Sequence, residues 1–303
     1  MRAIRVALVH RDAESMKHRI IGPWAYPVPE FVWEHFAMPK WFTLDAEAIQ
    51  ERIQADIIWY EDAKTWGSFS GDVPHPICYW ITDSTLSDEH YTLRCQWARK
   101  VADSVFVDWD RLARFRETER PVYRFNYCVN DRMFYDRKME RVYDVAFICN
   151  IQGDPARIAL ARELEEFCAT RGYRYVSGSR MGEEYARAFN QSKILVNLNR
   201  TSTTRNHRLL DGMASRTCVL TSPVPDVSGE EREAGIHYVE FFDQEDLFEK
   251  IDWLLGTGKW QGIADAGYEL AHTKHTWAVR AKQLRAILLE AWPSLKEADY
   301  ETD

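Results

Sequence analysis

The chain is short of positive charge, of clustered cysteines and of long apolar runs, and each shortage removes a class of function. With 39 Lys and Arg against 47 Asp and Glu, the net charge is −8 and the pI about 5.7. A general polyanion binder needs a basic surface for its phosphate contacts, and this balance argues against one. Six cysteines stand at 78, 95, 128, 149, 168 and 218 with no CxxC pair and no clustered histidines beside them. They read as reduced, buried thiols, which implies a cytoplasmic compartment and no structural metal. No apolar stretch reaches the roughly 18 residues of a membrane span, and the opening run IRVALVH is too short for a signal segment. The phosphate-binding loop GxxxxGK[ST] is missing, and VHRDAESMKHRIIGPW stands where GxGxxG would follow the first strand. P-loop NTPases and ordinary dinucleotide dehydrogenases are therefore disfavoured. No GxSxG nucleophile elbow occurs, no repeat of 20–50 residues recurs and no low-complexity tract is present.

What is present is a foldable, aromatic-rich chain of 303 residues, 28% charged and 13% aromatic, enough for one large domain or two ordinary ones. Of its 12 Trp, several lie in the first third, at Trp24, Trp33, Trp41, Trp59 and Trp66. Packing in a core is the plain expectation for them, and lining a ligand cleft is the alternative. The one basic run, RLARFRETERPVYRF with Arg111, Arg114, Arg116, Arg120 and Arg124, reads as a solvated helix face and turn, with a phosphate track as the alternative.

Short β-branched and aromatic runs alternate with amphipathic stretches, the pattern of a mostly parallel sheet covered on both faces. In the first half the predicted strands are 4–10, 55–62, 76–83, 104–108 and 121–128, with helical patterns around 45–54, 87–102 and 109–117. The polar stretch VNDRMFYDRKMERVYD then interrupts the alternation and reads as an interdomain linker. The second half repeats the rhythm: strand 144–151, helix 154–171 ending at Gly172, strand YRYVSG, helix 180–190, strand 193–199, helix 205–215, strand 217–222, a short strand 237–241, and helices 244–255, 260–271 and 276–292. The expected organisation is a first domain over 1–138, a second over 139–275, a closing helix 276–292 and an acidic tail 293–303. Two α/β halves of about 140 residues would place a cleft between their sheets, with ligands bound outside the carboxyl ends of the strands. The loops at 10–24, 62–70, 83–88, 150–157, 177–182 and 199–206 are the first candidates.

One stretch carries the most chemistry: TTRNHRLLDGMASRTCVLTS, residues 203–222. In a helix over 205–215, Leu209, Leu210 and Met213 share one face, while His207, Arg208, Asp211 and Ser215 share the other. Asp is a poor residue inside a helix and is best placed at its start. Here Asp211 sits a turn or two inside, beside cations three and four residues earlier. A local ion pair to Arg208 or His207, worth a few tenths of a kcal/mol, is the plain reading. The preceding loop NRTSTTRN favours a ligand instead. Its backbone N–H groups, the helix start and Arg205 would hold an anion, and a carboxylate one turn further in would meet a ribose diol, as carboxylates do in other nucleotide sites. Diphosphate with ribose beside it describes a sugar nucleotide.

Taken together, YDVAFICN…ARIALARELEE, ILVNLNR…RNHRLLDGMASRTCVLTS and the late KHTWAVRAKQL resemble the GT-B glycosyltransferases of the spore-maturation CgeB type, within the group 1 glycosyl transferases. There a segment like R-hydrophobic-hydrophobic-Glu-x-x-Ala-x-Gly precedes the penultimate core strand of the donor domain. The likeness covers most of 120–290; the first 120 residues match in rhythm, with ADIIWYEDA and CYWITDS where such proteins carry strand-end acids. The resemblance implies two Rossmann-like domains with parallel sheets, a nucleotide-sugar donor such as a UDP-sugar held mainly by the second, and no metal and no cofactor. Helix dipole and basic side chains stabilise the leaving diphosphate in such enzymes. The one Asp-x-Asp considered, DWD at 108–110, reads as a helix cap. The chain departs from the pattern at three points. Asp211 stands where the family has Glu, Thr203 stands where retaining relatives carry a second acid, and Ser215-Arg216 replaces a small-Gly turn.

The roles follow from that resemblance joined to the loop positions. Arg205 and Arg208, with the backbone of Thr204 and its neighbours, take the phosphates, and Asp211 takes the ribose. Asn150 and Arg157 contact the diphosphate, Ser177 and Gly178 lie near the base, and Asn199 and His207 complete the donor set. In the first domain Asp83 and His10 orient the acceptor or take its proton, with Asp62 as a further strand-end acid. Each has a plainer reading: a cap or turn for Asp83, a core-edge histidine for His10, a solvated helix residue for Arg157. The expected reaction is hexosyl transfer, with retention, to an acceptor that is a small molecule, a glycan, a protein or a modified base of DNA. A non-catalytic sugar-nucleotide-binding protein of the same fold is the other reading.

Overall fold

The computed structural model describes residues 2–10, 26–37, 42–45, 54–61, 67–70, 76–81, 88–107, 118–151, 153–199, 207–224 and 231–297. The chain divides into two compact units, one of Met1–Arg19, Pro23–Tyr127 and Ala278–Asp303, the other of Ile20–Gly22 and Cys128–Trp277.

In the first unit, β1 (Ile4–His10), β2 (Phe31–Ala37), β4 (Ile57–Glu61), β6 (Ile77–Ile81), β7 (Ser104–Val107) and β8 (Val122–Arg124) form a six-stranded sheet in the order β2-β1-β4-β6-β7-β8. Every pairing in it is parallel. A separate parallel pair joins β3 (Phe42–Asp45) to β5 (Gly67–Ser70). Neither this pair nor β2 is among the strands expected from sequence. β2 is an edge strand with Glu34 and His35 in its middle and Val32 exposed, so it lacks the apolar continuity of the strands beside it. Ile58, Tyr60, Tyr79 and Val105 face α1 (Asp88–Val101), which contributes Cys95, Trp97 and Ala98. The other face is aromatic: the Trp59 ring lies 4.8 Å from Phe106, 5.9 Å from Phe125 and 6.1 Å from Trp80. Tryptophans 59 and 80 are thus core residues; 24, 41 and 66 lie outside the described residues.

The second unit holds β9 (Tyr143–Ile148), α2 (Pro155–Arg171), β10 (Tyr175–Gly178), α3 (Gly182–Asn190), β11 (Ser192–Asn197), α4 (Arg208–Ala214), β12 (Cys218–Thr221), β13 (Val239–Glu240), α5 (Gln244–Thr257) and α6 (Trp260–Lys274). Its sheet runs β10-β9-β11-β12-β13, again with every pairing parallel. The three central strands are buried on both faces, as their unbroken apolar runs require. Val145, Phe147, Ile194 and Val196 meet Leu164 and Cys168 of α2 and Leu247 and Ile251 of α5. Helix α2 starts and stops as its sequence dictates. The Asp154 side chain accepts from the Arg157 N–H, Pro155 opens the first turn, and Gly172 ends the helix at φ 72°. After α6 come α7 (Trp277–Ala291) and α8 (Ser294–Glu297), the latter in the stretch expected to be a tail.

The polar stretch that reads as a linker is bound into the second unit. Val129 exchanges backbone hydrogen bonds with His275 and Trp277, Phe134 is wholly buried against Tyr185 and Phe189, and Arg137 pairs with Glu183. The helical patterns at 46–53 and 109–117, and the DWD segment, lie outside the described residues. All six cysteines are buried.

Candidate functional site

In the order β10-β9-β11-β12-β13 the chain reverses direction across the sheet between β9 and β11. Ligands of open parallel sheets bind at such a switch, outside the carboxyl ends of the strands. Three groups of expected site residues come from this end. Asn150 follows β9 and is exposed, and its carbonyl accepts from Arg157 Nη1 at 3.0 Å. Arg157 is buried, and its Nε lies 3.4 Å from Asp154 Oδ2, so this guanidinium braces the loop between β9 and α2. Beyond β11, Asn199 is buried, takes Ser222 Oγ with its N–H at 2.9 Å and reaches Ser222 O with Nδ2 at 3.2 Å. Ser177 and Gly178 end the edge strand β10, half-buried, with Gly178 at φ 111°, a conformation that favours glycine.

Helix α4 brings in a further group. Expected over 205–215, it spans seven residues, Arg208–Ala214; Thr203, Thr204 and Arg205 lie outside the described residues. The expected polar face is as buried as the apolar one: Arg208 is 9% exposed, Asp211 1%, Ser215 0%. Underneath, Gly212 sits so close to the sheet that a Cβ would lie 2.7 Å from Val219 Cγ2 and 2.9 Å from Leu195 Cδ2. Close approach, rather than turn geometry, explains this glycine. Above, α6 presses on α4 through Gly267, where a Cβ would meet Met213 Cγ at 3.1 Å.

The expected ion pair of Arg208 with Asp211 does not form; Arg208 donates from Nε to Asn197 Oδ1 at 2.9 Å. Asn197 is fully buried and its Nδ2 donates to Thr221 Oγ1 at 3.0 Å, linking β11, β12 and α4. His207 Nε2 stands 3.9 Å from Asp211 Oδ2, beyond hydrogen-bond range. Neither carboxylate oxygen of Asp211 has a hydrogen-bond partner among the described residues. Burial drives its carboxyl well above the ordinary 3.8, with the Arg208 guanidinium working against that rise. Burial, and then Arg208, drives His207 below its ordinary 6.5, although 29% of its side chain stays accessible, so the imidazole is held neutral. Tyr185 of α3 joins this set: burial raises its phenol well above 10.0, and Asp211 nearby adds to the rise.

A buried carboxyl with no donor to satisfy it costs about 1–3 kcal/mol. A ligand offering paired hydroxyls would recover that, and the adjacent guanidinium suits an anionic neighbour. Two participants escaped the sequence reading. Asn197 had a signal, an amide inside an otherwise apolar strand; Tyr185 had none. In the first unit, His10 is the last residue of β1, and Asp62 and Asp83 lie outside the described residues. Among the described residues no group of three or more His, Cys, Asp or Glu could hold a metal ion, and no helix is long and apolar enough to cross a membrane.

Residues 149–286 match the family described as glycosyl transferase-like. Among solved structures, Alr3699/HepE of Anabaena, in complex with UDP-glucose, aligns at TM-score 0.61 and 8% identity, over 95% of this chain and 100% of that one. Sucrose-phosphate synthase of Thermosynechococcus elongatus aligns at TM-score 0.58 and 10% identity, over 96% and 100%. A glycosyltransferase of Rickettsia africae aligns at TM-score 0.59 and 10% identity, over 96% and 99%. No curated protein matches the sequence. The matched region is similar to a glycosyl transferase-like family, and the two parallel-sheet units have the GT-B architecture. The match is at the level of the glycosyl transferase-like family.

Proposed function

We propose that this protein is a glycosyltransferase that takes a sugar from a nucleoside diphosphate sugar, with UDP-glucose the first donor to test, and transfers it with retention and without a metal or cofactor. The observation that carries the reading is the Asp211 carboxyl, buried beside Arg208 on the helix that follows β11, with no hydrogen-bond donor among the described residues. Asp211 accepts the ribose hydroxyls. Arg208, with Arg205 and the backbone at Thr204, neutralises the leaving diphosphate, the charge that must be stabilised in the transition state. Asn150, Asn199, His207 and the loop braced by Arg157 complete the phosphate side, and Ser177 and Gly178 border the base. His10 and Asp83 are the residues of the first unit proposed to orient the acceptor. With retention, the departing phosphate takes the acceptor's proton, so no dedicated base is needed. The proposed location is the cytoplasm, in keeping with six buried cysteines that form no CxxC pair.

Two structural neighbours support the choice of donor: one holds UDP-glucose and another, the pneumococcal O-GlcNAc transferase GtfA, holds UDP and GlcNAc. The test is a thermal-shift panel of UDP-, GDP- and TDP-sugars followed by a turnover assay. A specific donor at 100 times its Kd stabilises by about 2.7 kcal/mol, and Asp211→Ala abolishes that gain. Stabilisation with no transfer or hydrolysis would instead identify a sugar-nucleotide-binding protein. No stabilisation by any donor would end the proposal.

A further inference from the structure

Arg141, at the end of the polar stretch, makes one planar fork serve several elements at once. Nη1 donates to Phe189 O and Ser192 O, each at 3.0 Å, and to Thr217 Oγ1 at 3.2 Å. Nη2 donates to Arg216 O at 2.6 Å and Ser215 O at 3.3 Å. These oxygens belong to the last turn of α3, the first residue of β11, the exit of α4 and the entry to β12. Helix ends leave their last carbonyls unpaired and gather partial negative charge there, and none of the five acceptors is a carboxylate. The guanidinium is a cation seated on carbonyl dipoles, tying two helix ends together.

Helix α4 needs such a tie. At seven residues it is too short to be stable alone, and its placement comes from its surroundings. His272 Nε2 meets Ala214 O at 3.0 Å, Gly212 seats its underside on the sheet, and Arg141 holds its exit. Helices antiparallel to the strands put their C-termini at one end of the sheet and their N-termini at the other. Fixing the exits of α3 and α4 therefore sets the spacing of what they carry near their starts: Tyr185 on α3, Arg208 and Asp211 on α4.

We propose that Arg141 is a positioning residue for donor binding, which locks α3 to α4 from the far end of the sheet and so holds Tyr185, Arg208 and Asp211 at their working separation. This rests on α4 being the donor-binding helix. Lysine keeps the charge but has no planar fork to bridge these oxygens.

The test compares wild type, Arg141→Lys and Leu164→Ala, using whichever of UDP-, GDP- and TDP-glucose stabilises the wild type. Leu164 of α2 is fully buried against the sheet, so its truncation supplies a loss of stability without touching the clasp. Arg141→Lys is expected to raise the donor KM about tenfold, as a misplaced ribose-binding Asp211 does, and through Arg208 to lower kcat as well, while Leu164→Ala leaves both as they were. Millimolar guanidinium should restore donor affinity in Arg141→Ala. Thr217→Val, which removes one acceptor, serves if the arginine variants do not fold, and should raise KM about twofold. An unchanged KM in Arg141→Lys, or in Thr217→Val where it is used, or an equal rise in Leu164→Ala, overturns the positioning role alone. A wild type that no donor stabilises overturns the donor reading of α4 itself.

Discussion

Arg208 Nε stands 2.9 Å from Asn197 Oδ1, so the cation at the start of α4 is oriented by a neutral amide of β11 and not by the carboxyl one turn further on. Asn197→Ala removes that acceptor and the bond to Thr221 together. The expected result is a loss of about 1–3 kcal/mol in urea unfolding, with weaker donor binding. A variant that loses stability but binds the donor as tightly as wild type would show that Arg208 needs no such orientation.

The Asp211 carboxyl makes stability pH-dependent with a definite sign. Its native value lies well above the ordinary 3.8, so the native state holds a proton that the unfolded state has released, and stability falls as pH rises from 3.8 through the native value. Asp211→Asn removes that dependence. It should melt above wild type at pH 8, by on the order of 1–2 kcal/mol, with the gap closing toward pH 4. His207 bends the curve the other way: held below its ordinary 6.5, it contributes stability that is lost as pH falls from 6.5. The variant-minus-wild-type difference separates the two, and a difference that is flat between pH 4 and 8 contradicts the assignment.

Arg216 occupies a turn position that favours glycine, at φ 56°, and uses its side chain to bridge Asp265 at 2.6 Å and Asp136 at 3.0 Å. Arg216→Ala keeps the left-handed backbone and loses both pairs, whereas Arg216→Gly loses the pairs and relieves the backbone. Glycine should therefore exceed alanine by about 1 kcal/mol in chemical denaturation, with alanine below wild type. Equal stabilities for the two would mean the turn relaxes out of the left-handed region.

Two glycines of α6 should respond in opposite directions to the same change. A Cβ at Gly267 would lie 2.7 Å from the backbone oxygen of His237, while at Gly262 nothing lies within 4 Å. Gly262→Ala should gain about 0.5–1 kcal/mol from helix propensity, and Gly267→Ala should lose about 1–3 kcal/mol from overpacking. Melting temperatures of the two single variants check the contrast.

Local chemistry was legible where one short segment contains the whole cause. Asp154, Pro155 and Gly172 mark both ends of α2, and the runs around Ile194 and Val219 mark central parallel strands. The edge strand Phe31–Ala37 was missed because its half-covered surface tolerates Glu34 and His35, which erase the apolar signal. The polar segment near residue 140 looked like a linker because its partners are far away in sequence: Arg141 reaches acceptors about 50 and 75 residues on.

The sequence by itself determined the two parallel-sheet units and the candidate helix after β11, because hydrophobic period, caps and charge types are properties of neighbours along the chain. Only the tertiary structure decided that Asp211 is buried without a donor among the described residues, that Arg208 turns to Asn197 and that Arg141 fastens α3 to α4. Burial and hydrogen-bond partners depend on which distant segments pack together, and a helix drawn from sequence alone carries no record of what covers its polar face.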